Sequence, residues 1–214
     1  IAGGQENMSK APHAIYYREN KKLSKEKMID TIIVDGLTDA FHYYHMGITA
    51  ENIAERYKIS RLEQDIYAYK SQEKTQNAMT QNRFDEEIVK LQITNENKKF
   101  IMSKDEYPRN NLKLEELTKL KSVFKENGTV TAGNASGIND GAAAVTLMTK
   151  DEADKRGVKK LVSIKSWASC GVDPALMGTG PIPSSKKALD LAGWTVKDVD
   201  LFEINEAFAA QSLA

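Results

Sequence analysis

The most regular pattern of apolar and polar positions is helical. Ser60 and Glu63 in "SRLE" form a capping box, and Leu62, Ile66 and Tyr69 follow at helical spacing. This predicts a helix from Arg61 to about Asn82 with Lys, Gln and Glu on its outer face. Just before it, Thr49 can cap a short helix that carries Ile53, Ala54 and Tyr57 inward. The period then changes: "EEIVKLQI" alternates through Val89, Leu91 and Ile93, which predicts a half-buried strand. Residues 94–121 are polar and charge-rich, with Pro108 interrupting, so loop is expected there apart from a short helix in "LEELTKL".

After Gly128 small and β-branched residues replace the charges. Ala142 to Met148 read as a fully buried strand, and Thr149 with Glu152 boxes a helix that ends at Gly157. "LVSIKSWAS" is the next expected strand, "PSSKKALDLAGW" a helix closed by Gly193, and "VDLFEI" a further strand. Strand and helix thus alternate in the α/β manner, and the charged helical region before Gly128 reads as an insertion into an α/β layered core. Both ends read as cut. "IAGG" looks like the tail of a buried strand, and the helix after Phe208 reaches Ala214 without a Gly or Asn C-cap, so a longer polypeptide is expected.

Composition narrows the function classes. Lys+Arg and Asp+Glu balance at 30 each, so no overall field draws the chain to nucleic acid or to an anionic membrane. Any basic patch is local, as in Arg18 to Lys27, where cations outnumber Glu19 and Glu26 next to Ile15, Tyr16 and Tyr17; this stretch reads as an interaction arm or as a solvated loop. The apolar runs are too short to span a bilayer, and no signal-peptide pattern opens the sequence, so a cytosolic or organelle-matrix location is the default, with cytoplasmic the one expected. Cys170 is the single cysteine, which excludes internal disulfides and a multi-cysteine metal site. It reads as a small buried residue.

Four stretches can carry chemistry. In "TVTAGNASGINDGAAAV", Gly133, Ala135, Ser136 and Gly137 allow a ligand close to the backbone and offer it a hydroxyl. The same residues also suit a tight turn before a buried strand, and no GxxxxGK or GxGxxG pattern supports a phosphate cradle. "YYHMG" offers His45 as a general base or pocket donor, or as a hydrogen-bonded structural residue. Met46 and Met177 suit an adaptable wall around a small acyl group or plain core filling, and "MGTGPIPSS" suits a pocket rim or a connection. In "EINEAFAAQSLA", Asn205 stands where a strand gives way to a helix, a place where α/β folds expose side chains to a crevice. Its amide can hold a water or an oxyanion by donation, or it can cap the helix, with Glu206 favouring the dipole in the first turn.

Taken together, "GGQENMSKAPH", "DGLTDAF", "YHMG", "GTVTAGNASGINDGAAAV", "MGTGPIP" and "NEAFAAQ" resemble the thiolase family, on its biosynthetic acetyl-CoA acetyltransferase side. The resemblance runs in family order from Gly3 to Gln211. It implies an α/β, five-layered αβαβα fold of two similar halves with an α-rich loop domain inserted in the first. On this chain residues 1–8 would end the N-terminal half, 9–138 form the loop domain, 139–159 return to the first half, and 160–214 open the second. The arm at about residues 13–30 matches the loop through which bacterial-type members form homotetramers.

The implied reaction is condensation of two acetyl-CoA molecules to acetoacetyl-CoA and CoA, or its thiolytic reverse, through an acyl-enzyme on a cysteine. No permanently bound cofactor or metal is implied, and coenzyme A enters as substrate. Asn205 matches the residue that holds an oxyanion-hole water. Ser136 matches a pantetheine contact, with Ala132 and Gly137 keeping the tunnel narrow. Leu37, His45, Phe124, Ala207 and Phe208 match tunnel-lining positions, Tyr107 and Arg109 contacts near the nucleotide, and Met46 and Met177 the flanks of a short acyl group. The nucleophilic cysteine, the catalytic His and the second cysteine of the family fall outside this sequence, so the chain alone is expected to be inactive. Two alternatives stand beside this reading: a non-catalytic module for coenzyme A binding or oligomerisation, and a degradative 3-ketoacyl-CoA thiolase.

Overall fold

The computed structural model describes residues 1–15, 28–95 and 98–214. The basic stretch Arg18 to Lys27, with Tyr16 and Tyr17, lies outside the described residues. What is described of the flanking arm is a short antiparallel pair, β2 (His13–Ala14) with β3 (Ile29–Asp30).

The insertion is helical, as the periodicity predicts. Helix α1 spans Met46–Tyr57. Its cap is His45, whose ring Nδ1 accepts the Gly47 N–H at 3.0 Å, and not Thr49. Thr49 lies a turn inside the helix, 1 % exposed, and its hydroxyl donates to the Met46 carbonyl. His45 takes the capping role because its backbone is extended and its ring reaches a free N–H of the first turn. Ile53 and Ala54 are buried as expected, whereas Tyr57, at the last position, is exposed.

Helix α2 runs Arg61–Thr80. The capping box forms: Ser60 donates its N–H to the Glu63 carboxylate at 2.7 Å, and the Ser60 hydroxyl accepts from the Glu63 N–H at 3.3 Å. The inner face is not the expected one. Leu62 is exposed, Ile66 and Tyr69 are half-buried, and the residues sealed from water are Gln64 and Asp65. A polar face wins here because α2 packs on a loop, residues 129–134, whose polar groups need partners. After it come the hairpin of β4 (Leu91–Asn95) and β5 (Lys98–Met102), with Val89 exposed before it, and helix α3 (Leu114–Thr118). Strand β5 falls where loop was expected, because "KKFIM" lacks clean alternation.

The layered part is thinner than expected. Strand β1 (Ala2–Asn7) pairs antiparallel with β6 (Asp140–Val145), in a register from Ala2 opposite Val145 to Asn7 opposite Asp140. Both strands are exposed along their length, so the fully buried strand expected at Ala142 to Met148 is corrected. Residues 161–169 and 199–204 join no ladder among the described residues, and Leu161, Val162, Trp167 and Leu201 are largely exposed. Strand tendency alone does not assign a strand: a partner must accept and donate the ladder hydrogen bonds, and the described residues supply none there. The helices between them form, as α4 (Lys150–Lys155, capped by Thr149) and α5 (Pro181–Ala192, closed by Gly193 at φ +70).

The tightest core sits where α1, α2, the final helix α6 (Ala209–Leu213) and the Pro174–Thr179 turn meet. Ala50, Ile53, Val130 and Ala210 are fully buried in it. The site is built on its surface.

Candidate functional site

The loop Thr129–Ile138 is fixed from below by buried polar side chains. Glu51, 4 % exposed on α1, accepts the N–H groups of Thr129 and Val130 and the Thr129 hydroxyl at 2.8–2.9 Å. Gln64 donates to the Thr129 hydroxyl at 2.9 Å. Asn134 is the hub. Its amide N–H groups donate to Asp65 at 3.0 Å and to the Thr129 carbonyl at 3.1 Å, while its oxygen accepts the Thr131 N–H at 2.8 Å. Arg61 closes the far side of Asp65 at 2.8 Å and donates to the Leu117 and Leu120 carbonyls, which ties α3 to α2. A loop anchored by buried Val130, Thr131 and Asn134, with their polar groups paired in this way, can hold one conformation.

From above, the loop joins the segment before α6. The Ser136 N–H donates to the Ala207 carbonyl and the Ala209 N–H to the Asn134 carbonyl, both at 2.9 Å, around a bridge of Ala135 with Phe208. Tyr107 donates its hydroxyl to the Ala135 carbonyl at 3.1 Å. Its ring lies so close to Gly137 that a Cβ there would overlap it, so glycine is needed for the approach.

These contacts leave a cavity of about 880 Å³. Leu37, His45 and Met46 line one side; Ala132, Ser136, Gly137, Ala207 and Phe208 line another; Tyr107, Arg109, Phe124 and Met177 complete the wall. Every residue that the sequence nominated for coenzyme A or acyl contact is in this lining. His45 stacks on Phe124 at 4.5 Å between centroids and 22° between planes, and Phe124 meets Phe208 edge-on at 6.3 Å. A Cβ at position 47 would overlap the Phe124 ring, so Gly47 admits this aromatic lid at the start of α1. Burial holds His45 below the ordinary histidine range, so the ring stays neutral with Nδ1 as an acceptor. The Arg109 guanidinium lies 6.0 Å from the Tyr107 ring centroid, and the Arg109 N–H donates to Gln72.

Sequence reading missed part of the wall: Met8, Ile33, Leu112, Leu117, Leu120, Val123 and Ile138 are apolar residues scattered over several separate stretches. Only Leu117 and Leu120, at helical spacing in "LEELTKL", carry a local signal, and only the folded loop brings all of them to one surface.

Asn205 stands apart. It is exposed and is not in the cavity lining, although Ala207 and Phe208, just beyond it, are. It does not cap the helix either: α6 begins after Phe208, which makes no side-chain cap. Glu206 lies outside the helix as well, which corrects its expected place in the first turn. Its carboxylate accepts from the Tyr67 hydroxyl at 2.8 Å and from the Ser71 hydroxyl at 2.6 Å, at the edge of a second, polar cleft of about 670 Å³ behind the Ser136 loop. Burial first, and then the Glu206 carboxylate, hold Tyr67 above the ordinary tyrosine range, so it stays a donor. Cys170 is half-buried and outside both linings.

Residues 1–151 match the family description "Thiolase, N-terminal domain", and residues 158–214 match "Thiolase, C-terminal domain". The chain belongs to the thiolase family. Over its full length this thiolase chain is 54% identical to an acetyl-CoA acetyltransferase of Paracoccus denitrificans, covering 55% of that protein. Over 216 aligned residues it is 50% identical to the cytosolic acetyl-CoA acetyltransferase of Rattus norvegicus, covering 54% of it. A solved structure of human mitochondrial 3-ketoacyl-CoA thiolase in complex with CoA superimposes with a TM-score of 0.89 at 41% identity, over 99% of this chain and 52% of that one. The chain therefore has the α/β thiolase fold, and it spans about half the length of the curated relatives it matches. The described residues show paired strands and the helical insertion of that fold, which this chain, about half the length of its relatives, holds in part.

Proposed function

We propose that this chain supplies the coenzyme A tunnel and one oxyanion-hole residue of a short-chain acetyl-CoA C-acetyltransferase. The observation that carries the reading is the single cavity in which Ser136, Gly137, His45, Met46 and Met177 meet Tyr107 and Arg109. Its small residues leave a slot for pantetheine at Ser136. Its cationic, aromatic end suits a nucleotide, and its two thioethers suit a short acyl group. Residues 9–138 act as the loop domain, between segments of the N-terminal half, and 160–214 open the C-terminal half. The assembly is a homotetramer through the arm at about residues 13–30. The location is cytoplasmic, supported by the cytosolic rat relative and by the absence, among the described residues, of a helix long and apolar enough to cross a membrane.

In the reaction, a cysteine thiolate attacks the acetyl-CoA carbonyl and releases CoA. A base then removes an α-proton from a second acetyl-CoA, and the enolate carbon attacks the acyl-enzyme, freeing the thiolate. Asn205 holds the water that donates to the enolate oxygen. Cys170, half-buried and off the cavity, is not the nucleophile, so the sulfur chemistry belongs to the rest of the polypeptide.

The test is a chain-length series of 3-ketoacyl-CoA thiolysis by the full-length enzyme. Highest kcat/KM on acetoacetyl-CoA is expected. A maximum on longer chains would favour a degradative 3-ketoacyl-CoA thiolase instead, and binding of CoA without turnover would favour a non-catalytic module.

A further inference from the structure

Asn205 is exposed and lies outside the cavity lining. The first fixed point after Asn205 is the side chain of the next residue. Glu206 uses both carboxylate oxygens: Oε1 accepts from Tyr67 at 2.8 Å and Oε2 from Ser71 at 2.6 Å. Tyr67 and Ser71 are four residues apart on α2 and so share one face of it, one turn apart, which matches the two oxygens of one carboxylate. One residue further, the Ala207 carbonyl is bound by the Ser136 N–H. The same helix, through Gln64 and Asp65, holds the loop that presents Ser136. Helix α2 therefore references both loops to one rigid body.

We propose that Glu206 is a positioning residue: it latches the Asn205 segment to α2 through Tyr67 and Ser71 and so sets where the Asn205 amide stands during the reaction. This rests on the reading of Asn205 as the oxyanion-hole residue. Glu206 lines the polar cleft and is absent from the tunnel lining, although the two share Tyr107, Arg109, Ser136 and Gly137, so a latch that acts through Asn205 is read in kcat and not in KM.

The test is steady-state thiolysis by the full-length enzyme carrying Glu206→Ala, Glu206→Gln, Asn205→Ala or the double change Asn205→Ala/Glu206→Ala. Glu206→Ala is expected to lower kcat about tenfold or more, with KM for CoA within about twofold. Glu206→Gln, whose oxygen accepts from Tyr67 and whose NH2 donates to Ser71, is expected to restore kcat to within about threefold of wild type. In the Asn205→Ala background, removing Glu206 should lower kcat by less than about twofold, since nothing is left to position. A crippled Asn205→Ala enzyme beside an unaffected Glu206→Ala enzyme overturns the latch alone. So does an equal loss on removing Glu206 in both backgrounds, a loss in KM only, or a failure of Gln to rescue. An Asn205→Ala enzyme with wild-type kcat overturns the reading of Asn205 itself and removes the basis of the latch.

Discussion

Replacing Asn134 by Ala tests how the tunnel loop is held. Asn134 is 3 % exposed and makes three hydrogen bonds: to Asp65 at 3.0 Å, to the Thr129 carbonyl at 3.1 Å and from the Thr131 N–H at 2.8 Å. Truncation leaves the Thr131 N–H without its acceptor in a residue that is fully buried. It also strips one oxygen of Asp65, a fully buried carboxylate still held on its other oxygen by Arg61. Each orphaned buried group costs about 1–3 kcal/mol, and a water entering the vacated space recovers part of that. The Thr129 carbonyl lies in a half-buried residue and adds little. The sum is about 2–5 kcal/mol, a large share of the roughly 5–15 kcal/mol that stabilises a typical domain. The assay is denaturant unfolding of the full-length enzyme, with Ser60→Ala as the yardstick, since loss of that exposed N-cap should cost about 1 kcal/mol. A midpoint shift for Asn134→Ala no larger than that for Ser60→Ala would refute the claim that a buried polar hub fixes the loop.

Three further outcomes are expected. His45 should titrate below the ordinary histidine value of about 6.5, and NMR of its ring protons should show it; a midpoint at or above that value would remove the buried, neutral cap. Because its folded pKa is depressed, the unfolded chain binds the proton more readily, so its contribution to stability is complete above about pH 6.5 and is lost as pH falls toward the folded value. Gly137→Ala should push the Tyr107 ring from the Ala135 carbonyl and weaken CoA binding about tenfold by calorimetry, and unchanged affinity would place the tunnel elsewhere. The 214-residue chain on its own should show no thiolysis of acetoacetyl-CoA, and turnover above background by a preparation of that mass would refute the assignment of the sulfur chemistry to other polypeptide.

The residues that line the cavity left a clearer local trace in the sequence than the packing around them did. The Ser136 loop and the Tyr107 to Arg109 stretch are contiguous, and what they do depends on local geometry: small residues for a narrow slot and a Gly where a ring approaches. Such requirements leave a trace in residue type at fixed positions. The inner face of α2 leaves the opposite trace. Leu62, Ile66 and Tyr69 make the better apolar stripe, yet the face that meets the loop is Gln64 and Asp65. A hydrophobic period reports which face would prefer an apolar partner, and here the partner is polar backbone. The strand tendencies at 161–169 and 199–204 are genuine in the sequence, but a ladder is a property of two segments, so one segment's alternation cannot assign it.

The same distinction explains why residue type alone does not place Asn205 and Glu206. A side chain at the turn between an apolar run and a helix has several possible partners, and the residue types "NEAF" do not say which. The dipole argument for Glu206 required it to stand in the first helical turn, but α6 starts three residues later, after Phe208. What fixes Glu206 is a pair of hydroxyls more than 130 positions away in sequence, separations of 139 and 135 residues. Those hydroxyls are neighbours only because α2 is a helix, and α2 is tied to the Ser136 loop through Gln64 and Asp65. Under the proposed function, the placement of the Asn205 amide is thus a consequence of how a loop, a helix and a carboxylate share hydrogen bonds. A change at Asp65 or Asn134 should for that reason disturb the Asn205 segment as well as the tunnel.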